Sequence, residues 1–285
     1  MNTPCIDLHV HSTASDGTFT PSKLIKLAKE NNLQAIALTD HDSIDGLAEA
    51  SNESAKQNIE FVPGIELSTD HNGKELHVVG LYIDPTNKQL NDNLITFVNE
   101  RDSRNAKMCE LLQKEGFDIT MEKLLAFAGT GVLTRAHFAN YLVDHGYVKN
   151  IKAVFHEYLG NDCRCFVDRT LIKTTNAIHL IKQAGGVAIL AHPGLYSYGD
   201  DKMRNALTEF KAAGLDGLEA IYSTYTPADE RYFKGLAKEY DLLISGGSDF
   251  HGTNKPDIKL GTGKGSMFIS YEILQTIKNY HNRRH

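Results

Sequence analysis

Cys5-Ile6-Asp7-Leu8-His9-Val10-His11-Ser12 is an apolar, β-branched run that predicts a first strand. Side chains alternate across a strand, so Asp7, His9 and His11 point to one face and Ile6, Leu8 and Val10 to the other. Two imidazoles then leave the end of a strand side by side, and neutral imidazole is the commonest protein ligand for divalent transition metals. An isolated His-x-His is more often a polar strand face, so its meaning depends on what the rest of the chain delivers.

Outward from that stretch, Thr13-Ala14-Ser15-Asp16-Gly17 is a turn-forming loop, and Thr20-Pro21 supply an N-cap and a first helical residue. Leu24, Ile25, Leu27 and Ala28 form the apolar stripe of that helix, which Asn31-Asn32 end. Residues 35–38 are a second buried strand running into Thr39-Asp40-His41-Asp42-Ser43. Strand, helix, strand is a βα repeat, whose parallel strands put loop chemistry at their C-terminal ends. The next strand, 61–68, delivers Glu66, and the turn Asn72-Gly73 predicts that 75–83 returns antiparallel with His77 on it.

From about 90 to 116 the pattern is helical, with Leu94, Phe97, Val98, Leu111 and Leu112 in helical spacing. Short helical units follow at 121–127, 135–144 and 151–159, separated by Gly129, Gly131, Gly146 and Gly160, and residues 165–167 read as a strand. The βα alternation resumes with a helix over 174–182 and a buried strand at 187–191 that ends in His192-Pro193. A helix at 203–213, a strand at 217–221, a helix at 227–240 and a strand at 242–245 follow, the last ending in Gly246-Gly247-Ser248-Asp249-Phe250-His251-Gly252. One more helix and a frayed basic end occupy 271–285. The expected organisation is α/β: a barrel of βα units from 1–98 and 171–285, interrupted by a small helical insertion at 99–170.

Composition narrows the function classes. With 285 residues, 41% hydrophobic and 23% charged, the chain is an ordinary globular one, long enough for one barrel with insertions. No apolar run spans a bilayer and Met-Asn-Thr-Pro-Cys is not the start of a leader, so a cytoplasmic location without membrane association is expected. Cys5, Cys109, Cys163 and Cys165 show no paired Cys-x-x-Cys spacing, which points to free thiols. The net charge of −6 gives no global field for nucleic acid, so no stable nucleic-acid partner is expected. An anionic substrate needs local positive charge, which bound metals can supply.

The strand ends and their loops collect His9, His11, Asp16, His41, Glu66, His77, His192, Asp249 and His251, including six of the thirteen histidines. Nine nitrogen and oxygen ligands are too many for one tetrahedral zinc and suit two or three divalent ions with open positions for water and substrate. Mixed imidazole and carboxylate ligation fits manganese, iron or zinc.

His9-x-His11 with Asp16, Thr39-Asp40-His41-Asp42, Gly64-Ile65-Glu66, His77, Ala191-His192-Pro193 and Ser248-Asp249-Phe250-His251 together resemble the motif set of the polymerase and histidinol phosphatase (PHP) superfamily. The resemblance implies a distorted (β/α)7 barrel, a trinuclear metal centre and phosphoester hydrolysis. It implies that His9, His11, Glu66 and Asp249 bind one metal, that Glu66 bridges to a second held by His77 and His192, and that Asp16, His41 and His251 hold a third. Three divalent ions per chain are expected, manganese first with iron(II) or zinc as alternatives. Glu66, Asp249 and His192 are the candidate catalytic residues.

Gly131-Val132-Leu133-Thr134-Arg135-Ala136-His137-Phe138-Ala139 resembles the Thr-Arg-x-His-Phe-Ala signature of a bacterial branch of the superfamily. Its members are 3′,5′-nucleoside bisphosphate phosphatases that also act as 5′-to-3′ exoribonucleases. The substrate implied is a phosphorylated nucleotide or short 5′-phosphorylated RNA, with the helical insertion as substrate cap and Arg135, His137 and Arg169 as binding residues. Thr134 is a good N-cap and puts Arg135 in the first turn, where helix amides and a guanidinium can meet one phosphate. The branch commonly carries an aromatic and a proline where this chain reads Cys165-Phe166-Val167-Asp168-Arg169, which weakens the case for Arg169.

A metal-bridging hydroxide needs no serine or cysteine nucleophile, and no Gly-x-Ser-x-Gly, Walker or dinucleotide fingerprint is present. Gly261-Thr262-Gly263-Lys264-Gly265 lacks phosphate-loop spacing and reads as a flexible loop. The alternatives are a histidinol-phosphate phosphatase, an amidohydrolase-type hydrolase, which also begins with His-x-His but wants a metal-bridging lysine, and a non-catalytic binding module, which has no chemical reason to keep nine converging ligands.

Overall fold

A computed structural model describes residues 5–129 and 132–284. Residues 1–4, Gly131 and His285, all named in the sequence reading, lie outside that range. The chain forms two compact units, Met1–Asp92 with Leu171–His285, and Asn93–Thr170.

The first unit is a sheet wound with helices. Its strands are β1 (Cys5–Asp7), β2 (Leu33–Leu38), β3 (Glu60–His71), β4 (Lys74–Leu81), β5 (Ile172–Lys173), β6 (Val187–Leu190), β7 (Gly217–Tyr222) and β8 (Leu243–Gly247). Seven run in the order β1-β2-β3-β4-β6-β7-β8, and β5 pairs β3 off that path. All pairs on the seven-strand path are parallel except β3–β4 and β4–β6, because Asn72-Gly73 returns β4 antiparallel, with Ser68 opposite His77. The sheet nearly closes into a barrel: Leu8 N donates to Gly246 O at 3.3 Å and Asp249 N to His9 O at 2.8 Å. Ile6, Leu8, Val62, Val79, Leu81, Ile189 and Ile269 form its core.

Its helices are α1 (Pro21–Glu30), α2 (Leu47–Gln57), α7 (Thr174–Gln183), α8 (Asp200–Ala212), α9 (Pro227–Glu239) and α10 (Tyr271–Asn282). Thr20 caps α1 by accepting from Lys23 N, and Leu24, Ile25 and Ala28 are its buried stripe as expected, while Leu27 is half-buried. α2, for which the sequence gives no expectation, carries little signal: it starts after Gly46 without a side-chain cap and buries the polar Glu53 and Ser54 beside Leu47 and Ala50.

Three local expectations are corrected. The first strand is shorter than 5–12: after Asp7 the ladder gives way to side-chain stitching, with Thr39 Oγ1 accepting from Val10 N at 3.1 Å and Val10 O accepting from Thr39 N at 2.9 Å. Residues 165–167 are not a strand; Cys165 N bonds back to Tyr158 O and Phe166 N to Cys163 O, and Cys165 is buried in the helical unit. The glycine loop is not loose either, since Gly261 N donates to Asp7 Oδ2 at 2.8 Å and Lys259 bridges Gly263.

The second unit is helical. It takes most of α3 (Lys88–Lys114), with α4 (Met121–Ala128), α5 (Arg135–Asp144), α6 (Ile151–Val154) and a π-helical turn at Phe155–Leu159. Met108, Leu112, Ile119, Leu124, Phe138, Leu142 and Leu159 are its core. All four cysteines are free, and burial pushes the Cys109 thiol up to about 11. No helix among the described residues is long and apolar enough to cross a membrane.

Candidate metal centre

The stretch after β1 presents both its histidines because two glycines let the backbone be approached closely. A Cβ on Gly247 of β8 would sit 2.1 Å from the His9 Cβ, and one on Gly17 would sit 2.2 Å from the His11 carbonyl oxygen. Aspartates beside the histidines act as loop braces. Asp40 accepts from Ser12 N, Ser12 Oγ and Ser15 Oγ at 2.6–2.7 Å, Asp42 from Ser68 N at 2.9 Å, and Asp7 from Ser248 N and Oγ at 2.8 and 2.5 Å. Asp42, His192 and Asp249 all adopt positive φ (49°, 27° and 55°), a sparsely populated region for non-glycine residues that clusters at functional sites.

At the centre lies Glu66, fully buried. Its Oε2 is 3.1 Å from His9 Nε2, 3.2 Å from His11 Nε2 and 3.1 Å from His41 Nδ1, while Oε1 is 3.0 Å from both His77 Nδ1 and His192 Nε2. Five imidazoles thus aim nitrogen at one carboxylate. Yet His9 Nε2, His11 Nε2, His41 Nδ1 and Glu66 Oε2 are buried without a hydrogen bond. Buried polar atoms left unpaired are costly, and lone pairs that converge on an anionic oxygen are reconciled by cations between them.

Around this centre, Asp249 Oδ1 lies 3.3 Å from His11 Nε2 and from His251 Nδ1, and His251 Nε2 lies 3.2 Å from Asp16 Oδ1. Donor atoms mutually within 4.8 Å form four groups: His11, Asp16, His41 and His251; His9, Glu66 and His192; His9, His11 and Asp249; His41, Glu66 and His77. Every one of the nine residues selected from sequence falls in at least one group. His41 belongs to two, standing beside Glu66 and His77 as well as beside Asp16 and His251.

The electrostatics follow from burial against clustering. Desolvation opposes the charge of Glu66, but the imidazoles of His9, His41 and His77 hold its carboxyl well below the usual range. Asp16 and Asp249 are likewise held low against burial, by His251 and by Lys255 respectively. Desolvation opposes protonation of His11 and His77 too, yet neighbouring carboxylates raise them to about 9 and about 10. Burial pushes His41 down to about 3.

Sequence reasoning missed the residues that hold these ligands. Tyr222 Oη donates to Asp249 Oδ2 at 2.6 Å, and Lys255 Nζ reaches the same oxygen at 2.6 Å, so Oδ1 faces the histidines. Glu219, buried on β7, contacts His9 Nδ1 at 3.0 Å and accepts from His192 N at 2.6 Å. Glu75 lies 3.5 Å from His77 Nε2. A lone acidic residue in an otherwise apolar strand was the available signal for Glu219.

In the helical unit, Thr134 caps α5 as expected, accepting from Ala136 N at 3.2 Å, and His137 completes a capping box by accepting from Thr134 N at 3.0 Å through Nδ1. Arg135, in the first turn, places Nη1 3.3 Å from Asn161 Oδ1 and its guanidinium 5.5 Å over the Phe166 ring. Arg169 follows Asp168, whose carboxylate accepts from its backbone N at 2.9 Å. Arg101 and Arg104 of α3, which the sequence reading did not single out, are buried, and Asn105 on the same face donates to Leu133 O at 3.1 Å beside the cap of α5.

A nearly closed, mostly parallel barrel whose strand ends gather imidazoles around one carboxylate defines a metal-dependent hydrolase of the PHP kind. The family model for the PHP domain matches residues 7–213, and the chain belongs to that family. It is 38% identical over 245 residues to a 5′-3′ exoribonuclease of Haemophilus influenzae, covering 86% of this chain and 89% of that one. It is 35% identical over 247 residues to a 3′,5′-nucleoside bisphosphate phosphatase of Chromobacterium violaceum, covering 86% and 87%. A solved structure described as an amidohydrolase from Chromobacterium violaceum, with bound sulfate and no metal, superposes with a TM-score of 0.88 at 33% identity over 98% of this chain and 96% of that one.

Proposed function

We propose that this chain is a phosphoester hydrolase that releases the 3′-phosphate of nucleoside 3′,5′-bisphosphates and trims 5′-phosphorylated RNA from its 5′ end. The observation that carries the reading is the convergence of five imidazoles on the two oxygens of Glu66. His9, His11, Asp16, His41, Glu66, His77, His192, Asp249 and His251 would hold three divalent ions, manganese first, with Glu66, Asp249 and His192 nearest the chemistry. Divalent ions held there would supply Lewis acidity, making a water nucleophilic near neutral pH and offsetting charge on the phosphoryl group.

The chain's own residues supply the rest. Glu66 offers one oxygen to each side of the cluster, and Tyr222 and Lys255 clamp the outer oxygen of Asp249 so that the inner one keeps its direction. Arg135, with His137 and Arg169, would bind a phosphate that is not being hydrolysed. The negative net charge makes such local cations necessary for a doubly phosphorylated substrate, and a small cytoplasmic nucleotide is a better match than a stable nucleic-acid complex. An amidohydrolase would want a bridging lysine; Glu66 occupies that role, and Lys255 bonds to Asp249 instead.

The test is turnover by manganese-loaded protein, read as phosphate release from a nucleoside 3′,5′-bisphosphate and from histidinol phosphate and as nucleoside 5′-monophosphate release from a 5′-phosphorylated oligoribonucleotide. The bisphosphate and the oligoribonucleotide are expected to be turned over well above histidinol phosphate. Preference for histidinol phosphate would overturn the substrate assignment.

A further inference from the structure

We infer that Glu219 is the positioning residue of the metal centre, one carboxylate that fixes the ligand nitrogen of His9 and the backbone of His192 together. The inference rests on the metal-centre reading above. β7 contributes none of the nine ligands, yet all six of its residues are buried, and among its apolar residues stands Glu219 at 2% exposure. Such a side chain is costly to bury unless both oxygens are used. Both are: Oε1 lies 3.0 Å from His9 Nδ1 and Oε2 accepts from His192 N at 2.6 Å.

The two contacts act on opposite flanks of Glu66. His9 Nε2 lies 3.1 Å from Glu66 Oε2, and His192 Nε2 lies 3.0 Å from Glu66 Oε1. A carboxylate can only accept, so the bond at His9 puts a proton on Nδ1 and directs the Nε2 lone pair toward the cluster; this raises the basicity of that nitrogen as a ligand. At His192 the bond is to the backbone of a residue at φ 27° and ψ 54°, a conformation that its surroundings must impose. One buried group thereby sets the tautomer of one ligand and the backbone of another.

Glu219→Gln separates positioning from mere packing. The amide has nearly the same shape and can still serve both neighbours: its oxygen accepts from His192 N and its NH2 donates to His9 Nδ1. That arrangement moves the imidazole proton to Nε2, the nitrogen meant for the metal, so the fold keeps its hydrogen bonds while a ligand is lost.

The experiment titrates metal-free wild-type and E219Q protein with manganese(II) alone by calorimetry, counts bound metal by elemental analysis, and records the metal-free Tm of both. Expected are a metal-free Tm within about 4 °C of wild type and a manganese affinity lower by about tenfold to a hundredfold. High manganese should restore much of the occupancy. Unchanged manganese affinity and stoichiometry in E219Q would overturn the inference, as would a collapse of the metal-free Tm, which would make Glu219 a structural residue. Failure of the wild type itself to bind manganese would instead remove the metal-centre reading on which the inference stands.

Discussion

The barrel unit and the helical unit spend their polar side chains in opposite ways. Around Glu66, five imidazoles converge on a carboxylate and leave buried nitrogens without hydrogen bonds. In the helical unit the conspicuous polar groups have local work: Thr120, Thr134 and Asn150 cap helices, His137 closes a capping box, and Arg135 lies near Asn161 and Phe166. Of the imidazoles around Glu66, only those of His77 and His192 hydrogen-bond it, and a donor set of this kind, left partly unpaired by its own members, fits cations. Local satisfaction is compatible with a structural role alone, so the binding role proposed for Arg135 and His137 has to be tested through substrate selectivity.

The strongest test of the barrel half is Glu66→Ala. It removes a carboxylate that faces both sides of the cluster and leaves like-charged or lone-pair groups facing one another. Metal content and phosphatase activity should fall together by orders of magnitude, measured by elemental analysis and phosphate release. Full activity in this variant would refute the multinuclear reading. Dialysis against a chelator should inactivate the wild type in the same way, and manganese should restore it. Neighbouring carboxylates raise His11 and His77 to about 9 and about 10, so a metal has to compete with protons for these nitrogens. Reloading should therefore release protons and weaken as pH falls; a manganese affinity independent of pH between 6 and 8 would contradict this.

The same contrast explains what the sequence made legible. His9-x-His11, His41, His192 and Asp249-x-His251 could be found because each stands just beyond an apolar strand, where βα alternation points loops to one rim, whereas Glu66 lies midway along β3, which runs on to His71 instead of ending at 68. Their supports could not. Glu219 and Tyr222 are single residues in β7, and nothing in the spacing says that one reaches His9 and the other Asp249, 210 and 27 positions away. Boundaries failed where side chains replace the ladder, as at Thr39 and Val10, and where a helix lacks a cap, as at Gly46. The glycine loop was misread because its anchor, Asp7, lies 254 residues away.

On the helical side, Arg135→Ala is the decisive change. Hydrogen bonds to charged groups are worth about 1.5–3 kcal/mol, so catalytic efficiency on a 3′,5′-bisphosphate should fall about tenfold to a hundredfold. A small phosphate ester lacking the second phosphate should lose much less, with metal content unchanged. Equal losses on both substrates would mean that Arg135 acts on the reacting phosphoryl group or supports the fold, and the division of labour between the two units would fail.

The smallest expected effect concerns His137, where structural and binding roles overlap in one ring. Nδ1 is committed to the Thr134 amide, which leaves Nε2 as the protonated nitrogen and the atom able to donate to a phosphate. Glutamine is the usual partner at this capping-box position, so His137→Gln should keep the cap and the Tm, while His137→Ala should cost about 1 kcal/mol of stability. If Nε2 also contacts substrate, loss of one hydrogen bond worth about 0.5–1.5 kcal/mol should lower kcat/KM of His137→Gln on the bisphosphate by about twofold to tenfold at unchanged Tm. Wild-type efficiency in His137→Gln would leave the ring only its cap, and Arg135 would then carry the proposed recognition without it.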